Sequence, residues 1–463
     1  MFLGYRYIVT SLICIGMVIV FGLKISFNAL MNNIVYHTYV RLVNGTSAGF
    51  CYQPSAKHLE RNVTSIFDMS VDLQKWLMDS YNYGYIFGNF PGAYMAEFMS
   101  AKWTWFASIV INIICCFGFT FVPTSLFWPH LSIRTIQGFA SGFIYPATSI
   151  LLAEWAPDSQ KNTIGGIAFV GTMLGSVLGR VVSTFLMTMF TWDYTYYIMT
   201  GCSCLWLILW GGLVYDKPSE SPFIKEKERD YILLSNIDII KRKTPISVDW
   251  SKVFTNKPFW ALFVMHSSCG TVFTIVMKDM VIYMWDVLFM NMQQIIIFTN
   301  LAYCIQCVCT IFLGITLDSL VRRKKITQCW AKKISTLLIS APSFICIMSL
   351  SYIKCSVVVA VMLIMIIMIC FCGMNTGYLI NHVDIGPKIA GRLMAITNTG
   401  ASLGAIIAPL IMDRVLDEKL RNIVTWRVVF WTCGGFFIVD MMCYTIWGDA
   451  ANQDFYREQD DED

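Results

Sequence analysis

Apolar residues run in unbroken stretches of about 20 along most of the chain, the length an α-helix needs to cross the hydrocarbon of a bilayer. A transmembrane barrel would instead alternate apolar and polar positions over about ten residues at a time. The pattern therefore predicts an all-α membrane protein with twelve spans, near 8–31, 76–96, 103–122, 126–152, 163–188, 195–215, 258–282, 292–317, 334–353, 356–379, 389–412 and 426–447. The first run, Ile8 to Leu23, follows Arg6 as a signal peptide would, but no small-residue cleavage site follows and apolarity continues past Lys24. It is read as span one.

Two hydrophilic breaks organise the rest. Residues 32–75 hold both Asn-x-Ser/Thr sequons of the chain, Asn44 and Asn62, and their shared address marks a glycosylated outer loop. Residues 216–257 hold nine Lys or Arg, and 318–333 hold six. Basic loops face the cytosol, so both termini are expected there, although the loop with Arg414, Lys419, Arg421 and Arg427 runs against the trend. The expected organisation is an N-terminal six-helix bundle over 1–215, a cytosolic linker over 216–257, a C-terminal bundle over 258–447 and an acidic cytosolic tail over 448–463. Weak internal symmetry supports two related halves. Trp155-Ala-Pro157 precedes Gly171 and Gly175 much as Asp384-Ile-Gly-Pro387 precedes Gly400 and Gly404, and small residues at such spacing let helices approach closely.

Composition agrees with a membrane protein: 56% of the 463 residues are hydrophobic and 14% charged, against roughly a quarter charged in soluble domains. A net charge of +4 gives a nucleic-acid role no electrostatic footprint. The 17 cysteines fall mostly within apolar stretches, where a thiol is a small hydrophobe, so neither a metal site nor a cofactor is expected. A disulfide is conceivable only between Cys51 and Cys355 in outer loops. No nucleophile–base pair or phosphate-binding glycine loop lies outside the spans, so an enzyme is not expected.

Several segments carry a resemblance. Gly314-Ile-Thr-Leu-Asp318 followed by Arg322-Arg323-Lys324 resembles the loop signature of the major facilitator superfamily. There a carboxylate at a helix end pairs with neighbouring arginines and latches one conformation. The first half has a worn copy, with Glu97 and Lys102 but Phe98 and Ser100 at two customary positions, and its latch is expected to be weaker. Tyr83-Gly84-Tyr85-Ile86, Pro91-Gly92, Arg134 with Gly138, Gly142 through Ala147, Asp216-Lys-Pro218, Glu228-Arg229-Asp-Tyr231, Pro258-Phe-Trp260 and Asn381-His382-Val-Asp384 together resemble the anion:cation symporter branch, which includes sialin, vesicular glutamate transporters and sodium/phosphate cotransporter-like proteins.

That resemblance implies the major facilitator fold, two pseudo-symmetric six-helix bundles around a central cavity. A small anionic substrate crosses by alternating access, with proton or sodium coupling in many members, in the plasma membrane or a vesicular one. Cavity cations are expected at Lys24 and Arg134, with Arg180 as an extra one. A charge unable to reach the membrane interface must face protein or a water-filled cavity, where it can neutralise a carboxylate or phosphate. The family's usual glutamate on span four is Ser141 here, so a proton bound there is not expected to drive transport. Glu97 and Asp279 are the next carboxylates to consider. For Asn381, His382 and Asp384 a structural role is expected, with Asp384 capping the next helix and His382 donating to a carbonyl. The worn latch, the missing glutamate and an altered span seven leave one rival: a transporter-shaped receptor or scaffold.

Overall fold

The computed structural model describes residues 4–35, 71–235, 248–353, 356–415 and 423–456. Asn44, Asn62, Cys51, Cys355, the middle of the linker and the acidic end Asp460–Asp463 lie outside the described residues. Twelve spans cross the described part as Tyr5–Val35, Val71–Met95 with a π turn Ala96–Ser100, Ala101–Phe121, a fourth made of Phe127–Ser141 and Ile144–Trp155, Lys161–Met189, Asp193–Leu213, Lys257–Asp286, Met292–Arg322, Gln328–Tyr352, a tenth made of Val357–Cys370, Cys372–Thr376 and Tyr378–Ile385, Ala390–Val415 and Ile423–Trp447. Large apolar side chains such as Phe87, Phe121, Ile208 and Phe312 are more than two-thirds exposed, which suits lipid rather than water.

Spans two and four pack backbone to backbone, and this explains the glycines of the motifs. A Cβ at Gly84 would strike the carbonyl of Thr135, one at Gly88 that of Phe139, and one at Gly138 that of Tyr81. At Gly142 a Cβ would lie 2.5 Å from the Tyr85 carbonyl, and there span four breaks before resuming at Ile144. Its counterpart, span ten, breaks in the same way at Phe371 and Gly377. Spans one and five are joined likewise: a Cβ at Gly175 would stand 2.6 Å from the Val18 carbonyl, and one at Gly179 would stand 2.5 Å from that of Gly22. In the second half Gly400 and Gly404 face Ser267 and Thr271 of span seven, so the repeated glycines make the same contact twice. Gly175→Val is expected to abolish the monodisperse size-exclusion peak, because the new atoms would meet rigid backbone and exceed the ~1–3 kcal/mol of ordinary overpacking.

The first and last described residues, near Tyr5 and Tyr456, lie on one face of the bundle, here the terminal face. Glu228 of the short helix Glu226–Ser235 accepts from the Tyr5 amide at 2.8 Å and pairs with Arg6 at 2.6 Å, capping span one from the linker. Asp216 caps span three, accepting from the Lys102 amide at 2.8 Å and the Ser100 hydroxyl at 2.5 Å. The described residues of the tail pack against the bundle. Gln453 donates to the Ile385 carbonyl at 2.8 Å, the Asp249 amide donates to Phe455 at 2.9 Å, and Phe455 is buried. An aromatic side chain at this position gains more from covering the foot of span ten than from water.

Candidate functional site

Lys24 and Arg134 come together in the first half around one aromatic ring. Span one carries Lys24, whose Nζ lies 4.8 Å from the Tyr81 ring centroid and donates to Asn82 Oδ1 at 3.2 Å. Span four carries Arg134, whose guanidinium carbon lies 5.0 Å from the same ring and 3.9 Å from that of Phe27. Both cations are thus held by aromatic faces of spans one and two, not by carboxylates. Arg134 is 1% exposed; its Nη1 donates to Gln137 Oε1 at 2.6 Å, while Nε and Nη2 have no hydrogen-bond partner among the described residues. Two free N–H groups on one rigid fork match the two oxygens of a carboxylate or phosphate.

Tyr81 and Tyr85 stack at 6.3 Å, and Asn398 of span eleven donates to the Tyr85 hydroxyl at 2.8 Å and to Asn89 at 2.9 Å, tying the site to the second half. Lys278 of span seven and Asp79 of span two, 4.0 Å apart and half-exposed, lie within electrostatic reach of Lys24. Sequence reading passed over Tyr81, Asn82 and this pair. Tyr81 and Asn82 directly precede Tyr83-Gly84-Tyr85, so the helical turn of that motif was the available signal.

Ser141 is buried, donates to the Gln137 carbonyl at 2.8 Å and sits beside Asn112 of span three. Among the described residues no acid contacts Ser141. Arg180 of span five lies within electrostatic reach of Tyr303 of span eight, across the two halves.

The latch residues are rearranged relative to expectation. Asp318 does not pair with Arg322 and Arg323, which are exposed. It is buried against the start of span five, accepting from the Asn162 amide at 3.2 Å, Asn162 Nδ2 at 2.8 Å, the Thr163 amide at 2.7 Å and Thr163 Oγ1 at 2.5 Å. Free N–H groups of a helix N-terminus hold a carboxylate without desolvating an arginine, which explains the choice. Gly314 makes the approach possible, since a Cβ there would stand 2.9 Å from the Asn162 carbonyl.

Glu97 likewise ignores Lys102 and pairs with Arg392 near the start of span eleven, two bonds at 2.6 Å each. Lys102 donates to the Gly211 carbonyl at 2.9 Å, 4.7 Å from the Tyr215 ring. The end of span two thus meets span eleven as the end of span eight meets span five. The worn copy draws its arginine from the other half. Asp384 is not a helix cap but an ionic centre, 3.3 Å from Lys161 and 3.1 Å from Lys332. His382 contacts the Leu379 carbonyl at 3.0 Å through Nδ1, as expected, and Thr397 at 2.6 Å through Nε2. All these contacts lie toward the terminal face, which is closed.

Twelve spans in two related halves, joined by polar contacts at helix ends, define a multi-pass membrane carrier of the alternating-access type. The chain belongs to the Major Facilitator Superfamily, whose sequence model matches residues 13–409. It is 26% identical to sialin of Ovis aries over 458 residues, covering 97% of this chain and 90% of the relative. It is 23% identical to a putative inorganic phosphate cotransporter of Drosophila melanogaster, covering 99% and 87%. The fold is similar to that of the proton:xylose symporter XylE, with a TM-score of 0.72, 14% identity and 97% of each chain covered.

Proposed function

We propose that the protein carries small organic or inorganic anions across a membrane by alternating access, binding them between Lys24 and Arg134. The observation that supports this most is the buried Arg134 fork, with two donors unpaired and no carboxylate against it. An oxyanion satisfies those donors and neutralises the pair in one step, and Lys24 supplies a point charge beside it. The relative named as a putative inorganic phosphate cotransporter supports the same class of substrate. The rival receptor reading is not favoured, since the named relatives include a cotransporter and the one helix-end contact it took as worn is made through Arg392.

We place both termini and residues 216–257 in the cytosol, on the basic bias and the two sequons. The closed terminal face is then cytosolic, and the anion enters from the opposite side. Glycosidase treatment is expected to increase the mobility of protein from animal cells, and Asn44→Gln with Asn62→Gln to remove the effect; no shift in the wild type would reverse the orientation.

Uptake of radiolabelled carboxylates and phosphate into proteoliposomes, under imposed pH, sodium and voltage gradients, tests the function. Lys24→Ala is expected to lower uptake about tenfold or more, while Lys24→Arg keeps it, because charge rather than shape is required there. A flat response of the wild type to every anion overturns the proposal.

A further inference from the structure

The second half contains a carboxylate that the anion site does not use. Asp440 of span twelve is 0% exposed, and among the described residues neither of its oxygens has a hydrogen-bond partner within 3.5 Å. Its polar neighbours are the hydroxyl of Ser340 on span nine, itself buried, and the amide of Met441, which give it weak hydrogen-bonding company. From the other packed elements it faces the Cys269 thiol of span seven and the Tyr378 phenol of span ten. The ring of His266 stands 5.0 Å from that of Tyr378, and His266 and His382 both contact Thr397. The acids at the helix ends described above are compensated: the partly exposed Glu97 by Arg392, the buried Asp318 by the start of span five, the buried Asp384 by two lysines. Asp440 has no such cation among its described neighbours.

An ionised carboxylate in that setting would cost several kcal/mol, whereas its protonated form needs only modest polar company. Sodium would demand several oxygen ligands, and the neighbours offer one hydroxyl, a thiol and a phenol. We propose that Asp440 is a proton-binding site of the second half, holding a proton in this closed-terminal-face conformation and releasing it when the bundle opens around span twelve. The inference rests on the reading of the chain as a carrier, and assigns the proton to a span opposite the one where the family's glutamate is missing. Proton release from the carboxyl group leaves the carboxylate and one hydronium equivalent in the aqueous path, so charge balances without a further reactant.

The test uses the full chain in nanodiscs and needs no substrate. Unfolding temperature is measured between pH 5 and pH 9 for the wild type and D440N. An unfolded aspartate ionises near pH 4, so a site that stays protonated when folded takes up a proton on folding. Stability should then be greatest at low pH and fall as pH rises, by up to about tenfold in the folding equilibrium per pH unit. D440N should lack that component, so that its difference from the wild type changes with pH. A difference that stays constant across the range overturns the proposal. If D440N does not accumulate, D440S takes its place, with the infrared band of a protonated carboxyl in the wild type as a second readout that D440S should lose; persistence of the band in D440S also overturns it. In proteoliposomes, D440N should take up anion with little response to a pH gradient that accelerates the wild type, and an unchanged response would argue the same way. Absence of uptake by the wild type under every gradient would instead remove the carrier reading, and leaves the stability test of Asp440 intact.

Discussion

Arg134→Ala is expected to reduce anion uptake by about two orders of magnitude while leaving the amount of folded protein unchanged. Truncating one partner of a buried, charge-assisted contact costs about 2–5 kcal/mol, and ~3 kcal/mol is a hundredfold in binding. Folding should not suffer in proportion. Among the described residues the buried cation's desolvation is offset only by the Phe27 and Tyr81 rings and by Gln137. Removing that cation relieves the cost even as it leaves a small cavity. Arg134→Lys keeps the charge but loses the planar fork, and an intermediate loss of about tenfold is expected. Initial uptake rates, normalised to protein recovered as a single size-exclusion peak, decide between outcomes. Normal transport by Arg134→Ala would dismiss the residue from the site, and loss of the folded peak would show that its role is structural.

The spans, their number and the family motifs were legible because membrane insertion imposes a length and an apolarity that a window of sequence already contains. Lys24 and Arg134 were legible for the same reason, since a charge inside such a window must have a purpose. Partners were much less legible. Glu97 and Arg392 are 295 positions apart, and Asp318 and Thr163 are 155 apart. Nothing local in the sequence favours these pairings over the nearby arginines and lysine that the motifs suggested, because they depend on how two bundles meet. Asp440 escaped notice for a different reason. Its meaning lies in the lack of a countercharge among neighbours on three other spans, and a lack of that kind exists only in three dimensions.

Asp318→Asn is expected to loosen the terminal face, and the effect should be local enough to map. In the wild type one carboxylate takes two amides, one amide side chain and one hydroxyl at the start of span five, where Gln160 offers no side-chain cap of its own. The N-cap of span five is therefore supplied by span eight, and it exists only while the two halves are together. Replacing the carboxylate by an amide removes the charge that complements the helix N-terminus and points a donor at other donors. That costs about 2–3 kcal/mol, or roughly 30- to 100-fold in the balance between closed and open terminal face. Glu97→Gln should act in the same direction through Arg392, with a smaller effect because that pair is partly exposed to solvent. Hydrogen exchange read by mass spectrometry on nanodisc samples distinguishes the two without adding labels to a chain of 17 cysteines. D318N should speed exchange in peptides covering residues 158–165, and E97Q in those covering 389–395, with the double variant faster than either at both sites. Exchange unchanged at both would mean that these bonds do not hold the face shut, and that closure rests on Asp384 with Lys161 and Lys332 instead.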